Sequence, residues 1–205
     1  MIDTMDRASI EGLHSFHGHR CPASLQGLRA GYYAMQLLDV EKAKDHELQA
    51  VIETGEHHFG GCFGDGIQYS TGVTFGKGNI SKNPLGKFAF TLIDPSAAKA
   101  VRVALKAEVL KDFLKTDFFN KRKNGVPAYE LPKEDVNFVI DNVINATDEE
   151  LFTYNLIEDY PIAKHQSTFE ALECHGCKEM VVSSYVLSIG QENYCKTCGN
   201  KILFG

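Results

Sequence analysis

The sequence Phe16-His17-Gly18-His19-Arg20-Cys21-Pro22 decides how the front half of this chain is organised. It brings two imidazoles and a thiol to the start of a helix, since Pro22 suits the first helical position, where a missing N–H costs nothing. The helix is predicted by apolar residues at spacings of three and four, namely Leu25, Leu28, Tyr32 and Met35. Cys21 then lies at the helix N-terminus, where exposed N–H groups favour the thiolate.

A second stretch, Gly60-Gly61-Cys62-Phe63-Gly64-Asp65-Gly66, is predicted to be the partner of the first in space. A short helix is expected over 65–71. We expect His17, His19, Cys21 and Cys62 to surround a metal or a substrate, with Asp65 orienting an imidazole. Within this set His19, Cys21 and Cys62 are the candidate core metal ligands, and His57 and His58 are reserve ligands. Mixed histidine and cysteine ligands with an open position suit zinc or another soft metal.

An alternative stays open for the histidines and cysteines of these two stretches. The two thiols could be small buried groups, with the histidines as hydrogen-bond partners and no metal. The turn Gly76-Lys77-Gly78 is a weaker candidate for a cofactor site, in which backbone N–H groups and the Lys77 ammonium would hold an anionic group. An ordinary hairpin connection is the alternative for that turn. The candidate catalytic residues are therefore Cys21, His17, His19, Cys62, Asp65 and Lys77.

Composition limits the classes of function. The chain has 205 residues and an apolar fraction of 43%, and its net charge of −6 argues against a large nucleic-acid surface. No run approaches 18 consecutive apolar residues, so we expect no membrane span. The N-terminus has no basic segment followed by an apolar run, so we expect no signal peptide. The six cysteines stand in CxxC pairs and single motif positions, which indicates metal and thiol chemistry in a reducing cytoplasm.

The pattern of the remaining chain predicts an α+β fold, with helices packed on a small mainly antiparallel sheet. Strands are expected over 48–54 and 86–93, and helices over 94–114 and 134–146. A capping box at 147–150 opens a further short helix. Lys121-Arg122-Lys123 is interpreted as a solvated charge run in a loop, and His14 as a solvated or capping residue. These elements form a core domain over 1–160, and residues 160–167 are the expected linker.

Two CxxC motifs mark a small C-terminal zinc-finger domain over 168–205, treble-clef or ribbon-like. They are Cys174-His175-Gly176-Cys177 and Cys195-Lys196-Thr197-Cys198, separated by seventeen residues. Four thiolates at this spacing can close a tetrahedral zinc site, which would supply the folding free energy of a module with little core. Residues 166–205 hold three lysines and four glutamates, too few cations to bind nucleic acid well. We expect a structural clamp or a protein-docking module, with a strand pair over 180–189.

The motifs resemble the FmdE family, which takes its name from one of the subunits of tungsten formylmethanofuran dehydrogenase. The resemblance covers roughly residues 10–155 and rests on the Phe-His-Gly-His-Arg-Cys-Pro run, on Cys62 with Asp65, Ile67 and Gln68, on Thr71-Gly72, on Gly76-Lys77-Gly78-Asn79, on Gly86-Lys87, and on residues 100–103, expected as helix. Ala23, Gly66 and Val73 depart from the family pattern, and Val73 removes a possible third thiol. The resemblance implies an α+β core, intertwined homodimers and a connection with one-carbon or methanogenesis-type metabolism.

These observations together predict a cytoplasmic zinc-binding protein whose core pocket is a metal-dependent or thiol enzyme site, related to formylmethanofuran dehydrogenase metabolism. The competing hypothesis is a non-enzymatic sensor of metal or ligand that contacts a protein partner through the finger. Cys21 is expected to be the most reactive thiol, because it alone combines a helix N-terminus with two neighbouring histidines.

Overall fold

The computed structural model describes residues 6–56, 60–162 and 169–205. The chain divides into two compact units, residues 1–162 and 163–205. Most of the expected linker, and the reserve ligands His57 and His58, lie outside the described residues. None of the helices in the described ranges is long and apolar enough to span a membrane.

The described part of the first unit consists of helices and one five-stranded sheet. The helices are α1 (Arg7–His17), α2 (Pro22–Leu38), α3 (Gly61–Thr71), α4 (Ala107–Phe113), α5 (Asp117–Lys123), α6 (Lys133–Asn145) and α7 (Asp148–Leu151). The strands are β1 (Gln49–Ile52), β2 (Ile80–Lys82), β3 (Ala89–Asp94), β4 (Lys99–Leu105) and β5 (Phe152–Ile157). Their order in the sheet is β2-β1-β3-β4-β5, and only the β1–β2 pair is parallel. The predicted α+β class with a mainly antiparallel sheet is confirmed.

The core lies between the sheet and α2, which packs against β3, β4, α3 and α6. Leu25 and Leu28 of α2, Ile67 of α3 and Leu92 of β3 are fully buried there. A buried arginine ties α2 to the end of α6, since Arg29 donates to the carbonyl oxygens of Val143 and Ala146 and pairs with Asp148. It thereby satisfies carbonyl groups at a helix C-terminus that have no intrahelical partner.

The predicted helix over 94–114 is wrong in its first part, and only its second part is helical, as α4. Strand β3 ends at Asp94, a turn follows, and β4 occupies Lys99–Leu105 before α4 begins. The Asp94 carboxylate accepts from the backbone N–H groups of Ser96 and Ala97 in a turn, a pattern of bonds that helix caps and turns share. Residues 99–105 also carry a period of two, with Val101 and Val103 buried and the intervening Arg102 bonded to Glu53.

The other local predictions fare differently from one another. Lys121-Arg122-Lys123 is the last turn of helix α5, where cations are favoured by the helix dipole, and not a loop. The capping box at Thr147 and Glu150 is present as predicted and begins α7.

The second unit forms two hairpins and a helix in its described part. The strands are β6 (Ala171–Glu173), β7 (Met180–Val182), β8 (Val186–Ile189) and β9 (Glu192–Cys195), and the helix is α8 (Lys196–Phe204). The two strands predicted over 180–189 are present as β7 and β8, but they do not pair with each other. β6 pairs with β7 and β8 with β9, both antiparallel. A short 3-10 turn at residues 183–185 separates β7 from β8 and directs them into different hairpins.

Candidate functional site: a histidine and thiol cluster with an adjoining cavity

Helices α2 and α3 are in backbone contact through glycines. A Cβ on Gly27 would lie 2.0 Å from the carbonyl oxygen of Phe63, and one on Gly31 would lie 1.9 Å from the Ser70 hydroxyl. Both contacts advance in the same direction along the two chains, so the helices run parallel and their N-terminal ends lie side by side. This packing brings Cys21, the N-cap of α2, near Cys62 in the first turn of α3.

The chain before α2 places the two histidines beside the same thiol. Helix α1 ends at His17, and Gly18 adopts a left-handed conformation (φ 90°) that glycine reaches without strain. The rings of His17 and His19 then lie 4.6 Å apart between centroids. One ligand atom each from His17, His19 and Cys21 can be chosen so that all lie within 4.8 Å of one another. These three residues form what we call the core cluster.

His17 is held by the carboxylate of Asp65. The distance from Nδ1 to Oδ2 is 2.7 Å, and because a carboxylate only accepts, Nδ1 carries the proton. The opposite nitrogen, Nε2, is buried and has no hydrogen-bond partner among the described residues. The hydrogen bond to Asp65, and after it the Cys21 sulfur, raise the pKa of His17 to about 9. Protonated His17 carries its second proton on Nε2, and a bound metal would replace that proton. A carboxylate that accepts from the other ring nitrogen commonly orients a histidine that ligates a metal.

The two thiols of the site are buried and differ in acidity. Cys21 and Cys62 are 7% and 8% exposed. The Cys62 thiol first, and then the imidazoles of His17 and His19, lower the pKa of Cys21 well below its usual value. The Cys21 sulfur and burial raise the pKa of Cys62. Ionisation is therefore favoured at Cys21 over Cys62.

An open cavity of about 220 Å³ begins at these groups. Its lining includes His19, Cys21 and Cys62 together with residues of α4 and α5. The structure thus brings together five of the predicted residues: His17, His19, Cys21, Cys62 and Asp65.

Lys77 does not join them. Its ammonium donates to the carbonyl oxygens of Gly72 (2.7 Å) and Ala43 (3.2 Å), and it lies beyond the C-terminal end of α3, whereas Cys62 begins that helix. Eleven helical residues separate the two ends by about 16 Å. Gly76, Lys77 and Gly78 therefore form a turn of their own, away from the cavity.

Sequence reasoning missed one neighbour of the cluster, His14, because a solvated or capping role is the usual one for a histidine in such a segment. Its Nε2 is buried and has no hydrogen-bond partner among the described residues. Burial, followed by the charge of Arg20, lowers its pKa. The available clue was its spacing, because residues three apart on a helix share a face and His14 precedes His17 by three.

In the second unit the four cysteines form a cluster of their own. Their sulfur atoms lie within 4.8 Å of one another, and Sγ of Cys177 is 4.0 Å from Sγ of Cys195. A tetrahedral zinc site with Zn–S bonds of about 2.3 Å places its sulfurs about 3.8 Å apart, so the donor set fits a metal ion. Backbone N–H groups, first that of Cys177 and then that of Cys195, lower the pKa of Cys174 to about 6. His175 pairs with Glu192 and stands outside the ligand set.

Comparison with known proteins agrees with this architecture. A family model described as "FmdE, Molybdenum formylmethanofuran dehydrogenase operon" matches residues 16–153, which contain the core cluster, Cys62, Asp65 and the cavity. The crystal structure of a tungsten formylmethanofuran dehydrogenase FmdE-like protein from Syntrophus aciditrophicus superposes with a TM-score of 0.59 at 22% identity. The match covers 94% of this chain and 90% of that one, and it shows a shared fold.

A curated relative from Archaeoglobus fulgidus, "Probable S-adenosyl-L-methionine-binding protein", is 26% identical over 194 residues. The match covers 89% of this chain and 50% of the relative, so the chain spans about half the length of that protein.

Proposed function

The chain belongs to the FmdE family, and from that membership together with the core cluster we propose that it is a metal-dependent enzyme. The observation that carries the proposal is the hydrogen bond between Asp65 and His17, which leaves a buried and unpartnered Nε2 beside His19 and Cys21. A buried polar atom without a partner is costly, and a metal ion would remove that cost.

Each residue of the site has a role in this proposal. His17, His19 and Cys21 hold the metal, and Asp65 fixes the orientation of the His17 ring. Two imidazoles and a thiolate suit zinc, and three protein ligands leave a fourth position for a substrate. A metal at such a position supplies Lewis acidity to a substrate oxygen. Cys62 also lines the cavity, and its raised pKa favours the protonated thiol, which can deliver a proton or, after losing it, act as a further ligand.

The reaction belongs, in our proposal, to one-carbon metabolism connected with formylmethanofuran dehydrogenase. Family membership supports this connection. The name of the Archaeoglobus relative raises S-adenosyl-L-methionine as a ligand. The size of the cavity opposes that ligand, because about 220 Å³ is below the range of pockets that enclose drug-sized molecules.

We further propose that the four-cysteine cluster holds a structural zinc ion and that the finger contacts a protein partner. The finger carries exposed apolar side chains, among them Met180 (66% exposed) and Phe204 (84% exposed). A contact of this kind would equally serve a non-enzymatic sensor, the second candidate function. Metal-dependent turnover of a substrate would exclude the sensor, whereas a metal-dependent change in partner affinity without turnover would favour it.

The protein is, in the same proposal, a cytoplasmic homodimer. Strand β5 is an edge strand with exposed Tyr154 and Leu156, which is a surface that proteins cover or pair. All six cysteines are unpaired, which suits a reducing compartment.

The proposal is tested by counting zinc in the full-length protein. Wild type should retain one zinc ion per chain more than His17→Gln, and Asp65→Asn should weaken the core site about 10- to 100-fold. His46→Gln is the matched control, because His46 lies outside the cluster and pairs with Asp45. Equal zinc content and equal zinc affinity in wild type, His17→Gln and His46→Gln would refute the core metal site.

A further inference from the structure

The cavity beside the core cluster is lined by an apolar wall. Phe88, Phe113, Phe118 and Phe119 all contribute to it. The ring centroid of Phe113 lies 5.7 Å from those of both Phe118 and Phe119, in a tilted arrangement with Phe118 and an edge-to-face arrangement with Phe119. Rings arranged in this way leave faces and edges that a further flat ring can contact.

The cavity lining also carries positive charge. Arg122 and Lys123 line it, and none of the lining residues that the structure describes carries a carboxylate. Both cations belong to the last turn of α5, in the charge run that the sequence pattern alone assigns to a solvated loop.

The three cations of that turn have different surroundings. Lys121 forms an ion pair with Asp135, and Arg122 donates to the carbonyl oxygen of Val126. Lys123 lines the cavity, and its ammonium has no hydrogen bond or ion pair with any residue in the described ranges. The helix dipole favours cations in the last turn of α5, but it does not explain why one of them lines a cavity that Cys21 and Cys62 also line.

We propose that this cavity binds a small aromatic anion, with its ring among the phenylalanines and its charged group facing Lys123 and Arg122. The proposal rests on the proposed function in one respect, since the core metal would then meet the ligand at the His19, Cys21 and Cys62 end of the cavity. The volume of about 220 Å³ is below the range of drug-sized pockets, so the ligand has one or two rings. The anionic group is a carboxylate or a phosphate, which share the same recognition by lysine and arginine.

The test is a set of NMR titrations of the zinc-loaded full-length chain with four simple probes. Benzoate has the ring and the charge, benzyl alcohol the ring alone, acetate the charge alone, and phenyl phosphate distinguishes the two anionic groups. Benzoate or phenyl phosphate should bind about tenfold more tightly than both benzyl alcohol and acetate, because each partial probe lacks one set of contacts. Comparable affinities for benzoate, benzyl alcohol and acetate would overturn the proposal, and so would the absence of saturable binding of either aromatic anion.

The variant Lys123→Glu assigns the charge. It should weaken binding of the tighter aromatic anion about tenfold and leave benzyl alcohol unaffected. Lys111→Glu is the control, because it makes the same charge change at an exposed lysine of α4 that does not line the cavity. Equal affinities of the two variants for the anion would overturn the assignment. Zinc content measured on the same samples separates the two proposals: an intact core zinc without anion binding refutes this inference alone, and anion binding without core zinc refutes only the metal site.

Discussion

Replacing Gly66 by alanine should force helices α2 and α3 apart and lower the free energy of unfolding by about 3 kcal/mol. A Cβ at this position would lie 2.0 Å from the carbonyl oxygen of Ser24 and 2.4 Å from the amide nitrogen of Leu28. Both atoms are backbone, so no side chain can rotate away. Ordinary contact begins at 3.4 Å, and the helices must therefore separate by more than an ångström.

The size of the loss in stability follows from the packing contacts that are weakened when the two helices separate. Insertion of a methyl group into a packed core costs about 1–3 kcal/mol, and the upper end applies where both sides are backbone. A gap of about 1 Å also removes a quarter to a half of the dispersion energy of each contact across it. Leu28 and Ile67, which are fully buried, lie on the two helices concerned.

The measurement is urea unfolding of the zinc-loaded protein, followed by far-UV circular dichroism. With an m-value of about 2 kcal/mol/M, the midpoint of Gly66→Ala should fall by about 1.5 M. Gly61→Ala is the matched control in the same helix, because a Cβ there would meet no atom within 4 Å. That variant should be as stable as wild type or more stable by up to about 1 kcal/mol. Equal midpoints for the two variants would refute the close packing of α2 on α3, and with it the origin of the thiol pair.

Three further predictions concern the metal sites and one ion pair. The double variant Cys195→Ser, Cys198→Ser should lose one zinc ion per chain in elemental analysis, and unchanged zinc would exclude the finger as a metal site. In metal-free protein Cys21 should react with iodoacetamide at lower pH than Cys62, because the Cys62 thiol and the two imidazoles favour the Cys21 thiolate; mass-spectrometric mapping that gave the reverse order would contradict this. Glu53→Gln should lower the free energy of unfolding by about 1.5 kcal/mol near neutral pH, since the Glu53 carboxylate accepts from two guanidinium nitrogens of Arg102. The arginine lowers the pKa of Glu53 from 4.5, so this difference should be complete above about pH 4.5 and vanish as pH falls through the folded-state pKa; a difference that persists in acid would exclude the ion pair as its cause.

Local sequence was sufficient for the features that depend on neighbouring residues. Pro22 after Cys21 predicts a helix N-terminus, and the structure has one. The two CxxC motifs predict a cluster of four sulfurs, and the structure has one. The two cysteines of each motif are close along the chain, and their spacing is the one that zinc sites use. Local spacing gave the wrong prediction over the first part of residues 94–114 for two reasons. An aspartate can cap either a turn or a helix, and the apolar residues there fit both the period of two of a strand and the period near four of a helix.

The site itself combines what the sequence determines and what only the tertiary structure decides. The sequence places His17, His19 and Cys21 within five residues, so their proximity follows from chain connectivity. Asp65 reaches His17 across 48 residues, and that contact exists because glycines let α2 and α3 pack backbone to backbone. Lys123 lies about a hundred residues from Cys21, and only the tertiary structure brings the two to the lining of the same cavity. Spacing along the chain determines which residues share a turn of helix. Which turns come into contact depends on the burial of apolar faces throughout the core, and no single motif contains that information.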